Sequence, residues 1–597
     1  MPSDAERLYA IPLPATRTGA LYNAFSYPTK ISPETVGLFI ATHTEPGETV
    51  LDVFAGSGST GIGALLCERP TDAMKKMARD FGLRPSWGPR RAALYDIGVL
   101  GSFIARVMCG PPDPKRFSQA AERLVDSAEK RTGWLYQAED PDGVAGTIRH
   151  TIYSDVLECP SCGEQTTYWA AAVREDPAFF ASEFACAGCG ETVRVDRCSR
   201  VTENAYDAVL GRTIERKRRV PVVVYGKSEG RNWRREVDQA DRAVIEKSAA
   251  ADLPASAPVV EVSLGDLYRA GYHRGITHLH HFYTQRNFLA IATMWDLVDD
   301  FDADLRDSLR LLVLSFNAAH STLMTRAVAK KKQRSLVLTG AQSGVLYVSG
   351  LPVEKNVFEG VRRKARVIAA AFALTYGTEG TATVRQASST SLELDDDSVD
   401  YVFTDPPFGD YIPYAEVNQI NELWLGSATD RSSEIVVSAH QERGVADYEQ
   451  MMTRVFCEVA RVLKPEALAT VVFHSAKAAV WSALIDAYTS SGLAVRGTSV
   501  LNKTQGSFKQ VVSSTTVKGD VLILLGKAAD TENLGRPASI DEVIEAVLQN
   551  AETNVAEDER SPERLFSRFV TRCLAENLPV SIDVSEFYLR AGLEGVV

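Results

Sequence analysis

The chain has 597 residues, too many for one ordinary domain. Hydrophobic residues make up 45% and charged residues 24%, globular values that exclude a fibrous or disordered protein. No run of about 18 apolar residues occurs, which excludes a membrane-spanning helix and a membrane role. The net charge of −12 argues at first against a nucleic-acid partner. Its distribution weakens that argument. Residues 530–597 hold 14 acidic and 6 basic side chains, so this tail carries −8 and the rest of the chain −4. Residues 200–240 hold 10 basic and 6 acidic side chains, a local +4. The start, Met1-Pro-Ser-Asp-Ala-Glu-Arg7, lacks the basic-then-apolar pattern of a secretion signal, so a cytoplasmic chain is expected.

Residues 1–110 read as a helical stretch, a strand over 48–53, a glycine loop and a helix over 59–66. Gly56, Gly58 and Gly61 satisfy G-x-G-x-x-G, a weak signal alone. Asp52 stands on the strand four residues before Gly56. An acid there suits a cationic amino-acid group better than a pyrophosphate. The string Asp52-Val-Phe-Ala-Gly-Ser-Gly58 resembles the S-adenosylmethionine loop of class I methyltransferases. That resemblance implies that Phe54, Ala55, Gly56 and Gly58 approach the cofactor. An amphipathic helix is expected over 71–81, then a short strand over 92–96. Asp96 at its end could accept hydrogen bonds from ribose hydroxyls or be a solvated loop acid.

Residues 150–200 hold Cys159-Pro-Ser-Cys162 and Cys186-Ala-Gly-Cys189, each followed by Gly-Glu. Two such knuckles fit a closed, structural Cys₄ zinc site. A hairpin strand over 166–173 between them reads as part of a zinc ribbon, which either touches DNA or only stabilises the insertion. Cys198 reads as a bystander. Residues 201–370 are basic, then helical. Arg212–Arg219, Arg231–Arg235 and Lys330–Arg334 are candidate nucleic-acid surfaces. Residues 248–258 read as a linker. The histidine-dense stretch 268–281 lacks the regular spacing and carboxylates of a second metal site. A helix follows from Phe282, and its Arg286 is expected to position the catalytic loop or a phosphate. A second helix over 309–324 is apolar enough for a core.

Residues 371–528 alternate strand and helix. The strand over 398–404 ends in Asp405-Pro-Pro-Phe408. Two prolines stop the strand and fix a rigid turn. The Asp405 carboxylate and the Pro406 carbonyl are then aimed at a cleft at the carboxyl ends of the strands. Two acceptors suit methyl transfer to an exocyclic amine. They can take its two N–H groups and leave the lone pair facing the methyl donor. Phe408 offers a flat face to a base flipped from the duplex. Helix, strand, helix and two strands follow, over 458–463, 469–474, 480–491, 495–501 and 519–525. His474 reads as packing, and the polar loop 502–508 as a connection or a DNA contact. Residues 530–597 form an acidic, helical tail. It reads as a docking module for a protein partner or a lid on the core.

Tyr27-Pro-Thr-Lys30, Asp52–Ser59 and Asp405-Pro-Pro-Phe408 resemble three motifs of prokaryotic amino-DNA methyltransferases. Asp before the two prolines is the form more typical of N6-adenine than of N4-cytosine enzymes. The string from Thr404 through Asn418 to Gly426 is similar to large adenine-specific methylases with an inserted zinc ribbon. The resemblance implies an α/β, Rossmann-like class I methyltransferase sheet. Residues 1–110 and 371–528 form it, split by the ribbon (150–200) and a target-recognition insertion (201–370). It implies that Tyr27, Pro28, Thr29, Lys30 and Asp52 hold S-adenosylmethionine and that Asp405, Pro406, Pro407 and Phe408 act on adenine N6 in duplex DNA. The resemblance leaves open whether the activity serves restriction-modification, phage defence or regulation. Two departures stand out. The motifs around Asp52 and Asp405 are 353 residues apart, and the strand over 382–388 ends without an acid, leaving Ser388 as a partial substitute. The string Asp405–Gly409 also resembles RNA guanine-N2 methyltransferases. A non-catalytic zinc-ribbon DNA-binding subunit is the alternative from another class.

Overall fold

The computed structural model describes residues 7–9, 14–15, 17–323, 325–330, 335–339, 345–410, 412–503, 519–528, 539–553 and 557–593. Residues 331–334 of the third basic cluster, Met324, Tyr411, residues 504–508 of the polar loop, the first six residues, and 530–538, 554–556 and 594–597 of the tail lie outside them. The chain divides into two compact units. One comprises Met1–Pro111, Ala370–Ala415 and Ala428–Val597, the other Pro112–Ala369 and Glu416–Ser427.

The first unit is built on an eight-stranded sheet. In chain order its strands are β1 (Pro14–Ala15), β2 (Thr49–Asp52), β3 (Arg91–Asp96), β4 (Thr381–Gln386), β5 (Val399–Thr404), β6 (Leu463–Phe473), β7 (Leu493–Lys503) and β8 (Asp520–Lys527). Their spatial order is β1-β7-β8-β6-β5-β2-β3-β4. Strands β4, β3, β2, β5 and β6 are mutually parallel, and β8 is antiparallel to both β6 and β7. A strand covered on both faces must be apolar on both. In β8, Val521, Ile523 and Leu525 enter one core while Leu522 and Leu524 enter the other. The chain moves outward from β2 through β3 to β4, then returns to place β5 on the other side of β2. That reversal opens a crevice at the carboxyl ends of β2 and β5.

The tail belongs to this unit. Helices Ile540–Thr553, Pro562–Ala575 and Val584–Arg590 put Val543, Phe566, Phe569 and Phe587 into the core that also holds Trp481 and Ile523. The Asp583 carboxylate accepts from the Ala478 amide, and Val584 N–H donates to the Ala476 carbonyl at 3.2 Å. The described helices of the tail therefore share a core with the sheet of this unit.

The second unit has a seven-stranded sheet around the long strand Ala145–Glu158, with helices Pro114–Thr132, Gln239–Ala249, Gln285–Leu297 and Ala303–Ser315. Arg286, expected at a catalytic loop or phosphate, is only 1% exposed. It is ion-paired with Glu354, itself 0% exposed, and donates to Thr151 Oγ1 at 2.9 Å. A fully buried guanidinium cannot reach a phosphate; this one ties a helix to the sheet. The strand expected over 166–173 is broken. Gln165–Thr167 is strand, but Tyr168–Ala172 is a helical turn capped by Thr167 Oγ1, which accepts from Ala170 N–H at 3.1 Å. A threonine N-cap followed by alanines favours that turn. The apolar helix expected over 309–324 starts earlier, as Ala303–Ser315, and is followed by the short helix Asn317–His320.

Candidate active site

Asp52, at the end of β2, is 4% exposed. Its Oδ1 accepts from Phe54 N–H at 3.0 Å and Thr404 Oγ1 at 2.8 Å, and its Oδ2 from Thr60 Oγ1 at 2.6 Å. A carboxylate has about four acceptor positions, so one remains. Burial pushes the Asp52 carboxyl up to about 6, with the Asp96 charge adding and the Thr60, Phe54 and Thr404 hydrogen bonds opposing. Thr404 directly precedes Asp405. The Thr404–Asp52 bond therefore joins the glycine loop and the Asp-Pro-Pro-Phe turn, 352 residues apart in sequence.

The loop itself needs glycine at two places. Gly56 has φ +48° and Gly58 φ +82°, and a Cβ on Gly58 would meet Ala105 Cα at 2.9 Å. Asp96 holds the loop from the side. Its Oδ2 accepts from Gly56 N–H at 2.7 Å and its Oδ1 from Gly98 N–H at 2.6 Å. Burial raises this carboxyl too, against those two amides. Ala55 N–H donates to the Tyr95 carbonyl at 3.0 Å.

Tyr27 lies over Gly56, where a Cβ would come 3.1 Å from its ring. The Tyr27 ring stacks on Tyr414 at 6.5 Å, and Thr29 Oγ1 bonds Tyr414 Oη at 2.9 Å. Pro28 lies between these two contacts. Lys30 is buried and points elsewhere: its Nζ donates to the Leu21 carbonyl at 3.0 Å and to Tyr22 and Phe25 carbonyls at 3.4 Å. It closes the end of helix Ala20–Ala24.

Asp405 and Pro407 are half-buried and Pro406 buried, in the irregular chain that leaves β5. Tyr448 Oη donates to the Pro407 carbonyl at 2.7 Å. Gly409 turns the chain at φ +69° with Val480 against it. Phe408 is 3% exposed and packs edge-on to Phe473 at 5.4 Å. Its ring faces are spent on the core, so it presents no flat surface to a flipped base in this conformation.

Several positioning residues carry no motif signal. Besides Thr60 and Tyr448 there are Glu434, which accepts from Ala415 N–H at 3.0 Å, and Thr429, which accepts from Val99 N–H at 3.0 Å. Ser389 rather than Ser388 reaches the glycine loop, donating to the Val53 carbonyl at 2.5 Å; Ser388 bonds Thr390.

In the second unit the thiols of Cys159, Cys162, Cys186 and Cys189 lie within 4.8 Å of one another. Sulfurs at about 2.3 Å from a tetrahedral zinc are separated by about 3.8 Å. The Cys159–Cys189 and Cys162–Cys186 pairs stand at 4.0 and 3.6 Å, so the four fit such an ion. Each knuckle repeats one pattern: Gly163 and Gly190 N–H donate to the Cys159 and Cys186 carbonyls, both at 2.9 Å. Cys198 packs against the cluster without joining it.

The histidine-dense stretch meets one carboxylate that its spacing does not reveal. Asp207 Oδ2 accepts from His280 Nε2 at 2.9 Å and His281 Nε2 at 2.8 Å. His281 Nδ1 accepts from Thr277 N–H at 3.1 Å, which leaves the proton on Nε2. That is a hydrogen-bonded clamp, and it works against metal ligation through His281. The basic stretches are largely neutralised from within. Arg216 pairs with Glu203 at 3.0 Å, Arg219 with Asp155 at 2.9 Å, Arg235 with Asp241 at 2.5 Å, and Arg234 with Glu175.

A family model described as DNA methylase matches residues 11–71, about a tenth of the chain, and supports a DNA methyltransferase family. No curated protein matches. Among solved structures, the antibiotic-resistance methyltransferase Kmr is similar at 13% identity over 29% of this chain and 73% of that one, with a TM-score of 0.16. A geranyl diphosphate C-methyltransferase from Streptomyces coelicolor A3(2), in complex with Mg2+, geranyl diphosphate and S-adenosyl-L-homocysteine, is similar at 10% identity over 28% of this chain and 60% of that one, also at 0.16. Overlaps this small leave the fold to rest on the sheet's own order.

Proposed function

We propose that the first unit is an S-adenosylmethionine-dependent DNA methyltransferase acting on adenine N6. The observation that carries this reading is the Thr404–Asp52 hydrogen bond at 2.8 Å, which sets the Asp-Pro-Pro-Phe turn beside the glycine loop. The order of the sheet, with β8 antiparallel between β7 and β6, also agrees with the expected class I methyltransferase sheet.

The residues present fit the cofactor through the backbone. A Cβ on Gly101 would meet the Gly56 carbonyl at 3.0 Å and Tyr27 Oη at 3.1 Å, so a glycine there lets the helix close directly on the loop. Tyr27, Pro28, Thr29, Phe54, Ala55, Gly56 and Gly58 would hold the group there. Asp52 has one acceptor position left for a cationic amine, and Asp96 has two for hydroxyls. When bound, S-adenosylmethionine supplies an electrophilic methyl group. The chain's part is to orient the nucleophile. The Asp405 carboxylate and the Pro406 carbonyl accept the two N–H groups of the adenine amine, which turns its lone pair outward. Tyr448, through the Pro407 carbonyl, and Val480, against Gly409, keep those acceptors in place. Lys30 and Phe408 support this site from below. The Cys₄ cluster holds a structural zinc ion, since all four ligand positions are cysteine and none is left for substrate.

The test is methyl incorporation from labelled cofactor into duplex DNA and into structured RNA, with the wild type and Asp405→Ala. Label in DNA that disappears in Asp405→Ala while cofactor binding persists is expected. Label only in RNA would sink the DNA reading. A wild type with no cofactor binding by calorimetry would make the chain a non-catalytic subunit.

A further inference from the structure

Thr29 is held in a backbone conformation that its side chain resists. Its φ is +56°, in the left-handed region, where a β-branched residue is an outlier. Such a backbone persists only where its surroundings hold it, and it concentrates at ligand clamps and active sites. The group that meets Thr29 is Tyr414. Thr29 Oγ1 and Tyr414 Oη bond at 2.9 Å, 385 residues apart in sequence. The ring of Tyr27 stands beside the Tyr414 ring, with an interplanar angle of 25° and centroids 6.5 Å apart. Tyr27 is buried and is fitted between two glycines. A Cβ on Gly56 would come 3.1 Å from its ring, and a Cβ on Gly101 would come 3.1 Å from its hydroxyl. Any shift of Thr29 therefore moves a ring that lies on the glycine loop.

Tyr414 is anchored in turn. The buried Glu434 carboxylate accepts from Ala415 N–H at 3.0 Å. The Gly409 carbonyl accepts from Val437 N–H at 3.3 Å, and the Pro407 carbonyl accepts from Tyr448 Oη at 2.7 Å. The chain leaving β5 is thus tied down at Pro407, Gly409 and Ala415. We propose that Tyr414 is a positioning residue of the methyl-transfer site. Through Thr29 it keeps Tyr27 seated on the glycine loop and holds that loop in a fixed orientation to Asp405. This rests on the methyltransferase reading above. The Thr404–Asp52 bond already joins the two halves at one point. One hydrogen bond leaves a pivot, and a second one removes it. Orientation of the reacting groups acts on the rate. Asp52, Asp96 and the glycine loop hold the cofactor without Tyr414, so its loss should spare affinity.

Tyr414→Phe keeps the ring and deletes one hydroxyl. Thr29→Val keeps the branched shape, and with it the same backbone strain, and deletes the other. Both variants and their combination are compared with the wild type as full chains. Two quantities are read: the affinity for S-adenosylmethionine by calorimetry, and the single-turnover rate at saturating cofactor. The acceptor is unmodified duplex DNA, or structured RNA if that is what the wild type labels. Each single variant should slow transfer about fivefold and change cofactor affinity less than about twofold. The double variant should be no slower than either single, because both remove the same bond. A double variant slowed about 25-fold would make the two hydroxyls independent and overturn the proposal. Equal losses of rate and affinity would also overturn it, since that is general loosening of the site. An unchanged rate in Tyr414→Phe, beside a wild type that methylates DNA, overturns the proposal and leaves the functional reading intact. A wild type that binds no cofactor removes the functional reading, and this role with it.

Discussion

Asp52→Asn changes one atom at the point where the two halves of the site meet. In the folded chain the Asp52 carboxyl sits at about 6 rather than its ordinary 3.8. Two units at about 1.36 kcal/mol each put the burden of the ionised group near 3 kcal/mol. The folded state binds this proton more tightly than the unfolded chain does. The stability linked to it is therefore fully present below about pH 4 and is lost as pH rises through about 6. Asparagine stays neutral throughout. Its amide oxygen can keep Phe54 N–H and Thr404 Oγ1, and its NH₂ can donate to Thr60 Oγ1. Thr60 then turns its own proton fully to the Phe403 carbonyl, already at 3.3 Å. Relative to the wild type, the variant should gain about 3 kcal/mol between pH 4 and pH 7. Parallel urea unfolding series at about pH 4, 5.5 and 7 measure this directly, because every other titrating group is common to both proteins. A difference that stays flat, or that shrinks as pH rises, refutes the assignment of a raised carboxyl to Asp52.

Other perturbations test separate parts of the structure. Tyr448→Phe removes the bond to the Pro407 carbonyl at about 1 kcal/mol. Methyl transfer should fall about fivefold with cofactor affinity unchanged; equal losses in both would count against a role confined to the turn. Glu354→Ala leaves Arg286 charged and buried, at about 3–5 kcal/mol in urea unfolding. Adding Arg286→Met should recover most of that, and a failure to recover would show that the pair is not the source. Stripping metal with a chelator, or Cys162→Ser, should speed hydrogen exchange of amides in residues 159–194 and leave cofactor binding unaltered. Unchanged exchange there would argue that the four thiols hold no ion.

The elements that local chemistry dictates were legible from the residues alone. The strand before Asp52, the strand before Asp405, the helix over 59–66 and the two final strands of the sheet all follow from apolar periodicity and turn residues. They lie within a few residues of the observed bounds. Long-range partners were not legible. Nothing near Thr404 shows that it meets Asp52, nothing near Tyr448 shows that it meets Pro407, and nothing in the histidine stretch points to Asp207. Charge misled in a similar way. A run such as Arg212–Arg219 looks free on paper, yet its partners Glu203 and Asp155 lie elsewhere in the chain. Phe408 and Lys30 were matched by motif position, and only packing shows that one is core and the other closes a helix.

The sheet order also governs how this protein can be made. When the ribosome has finished β3, strand β2 still lacks its neighbour β5, and about 300 residues must be synthesised before β5 emerges. The apolar faces of β2 and β3 are therefore exposed during much of translation, and the helices from Ile540 onward that cover the sheet follow only after β8. Pairings this distant are slow to close and expose edges prone to aggregation. Recombinant fragments ending before Ile540 should accordingly collect in the insoluble fraction, even though they contain every motif of the site.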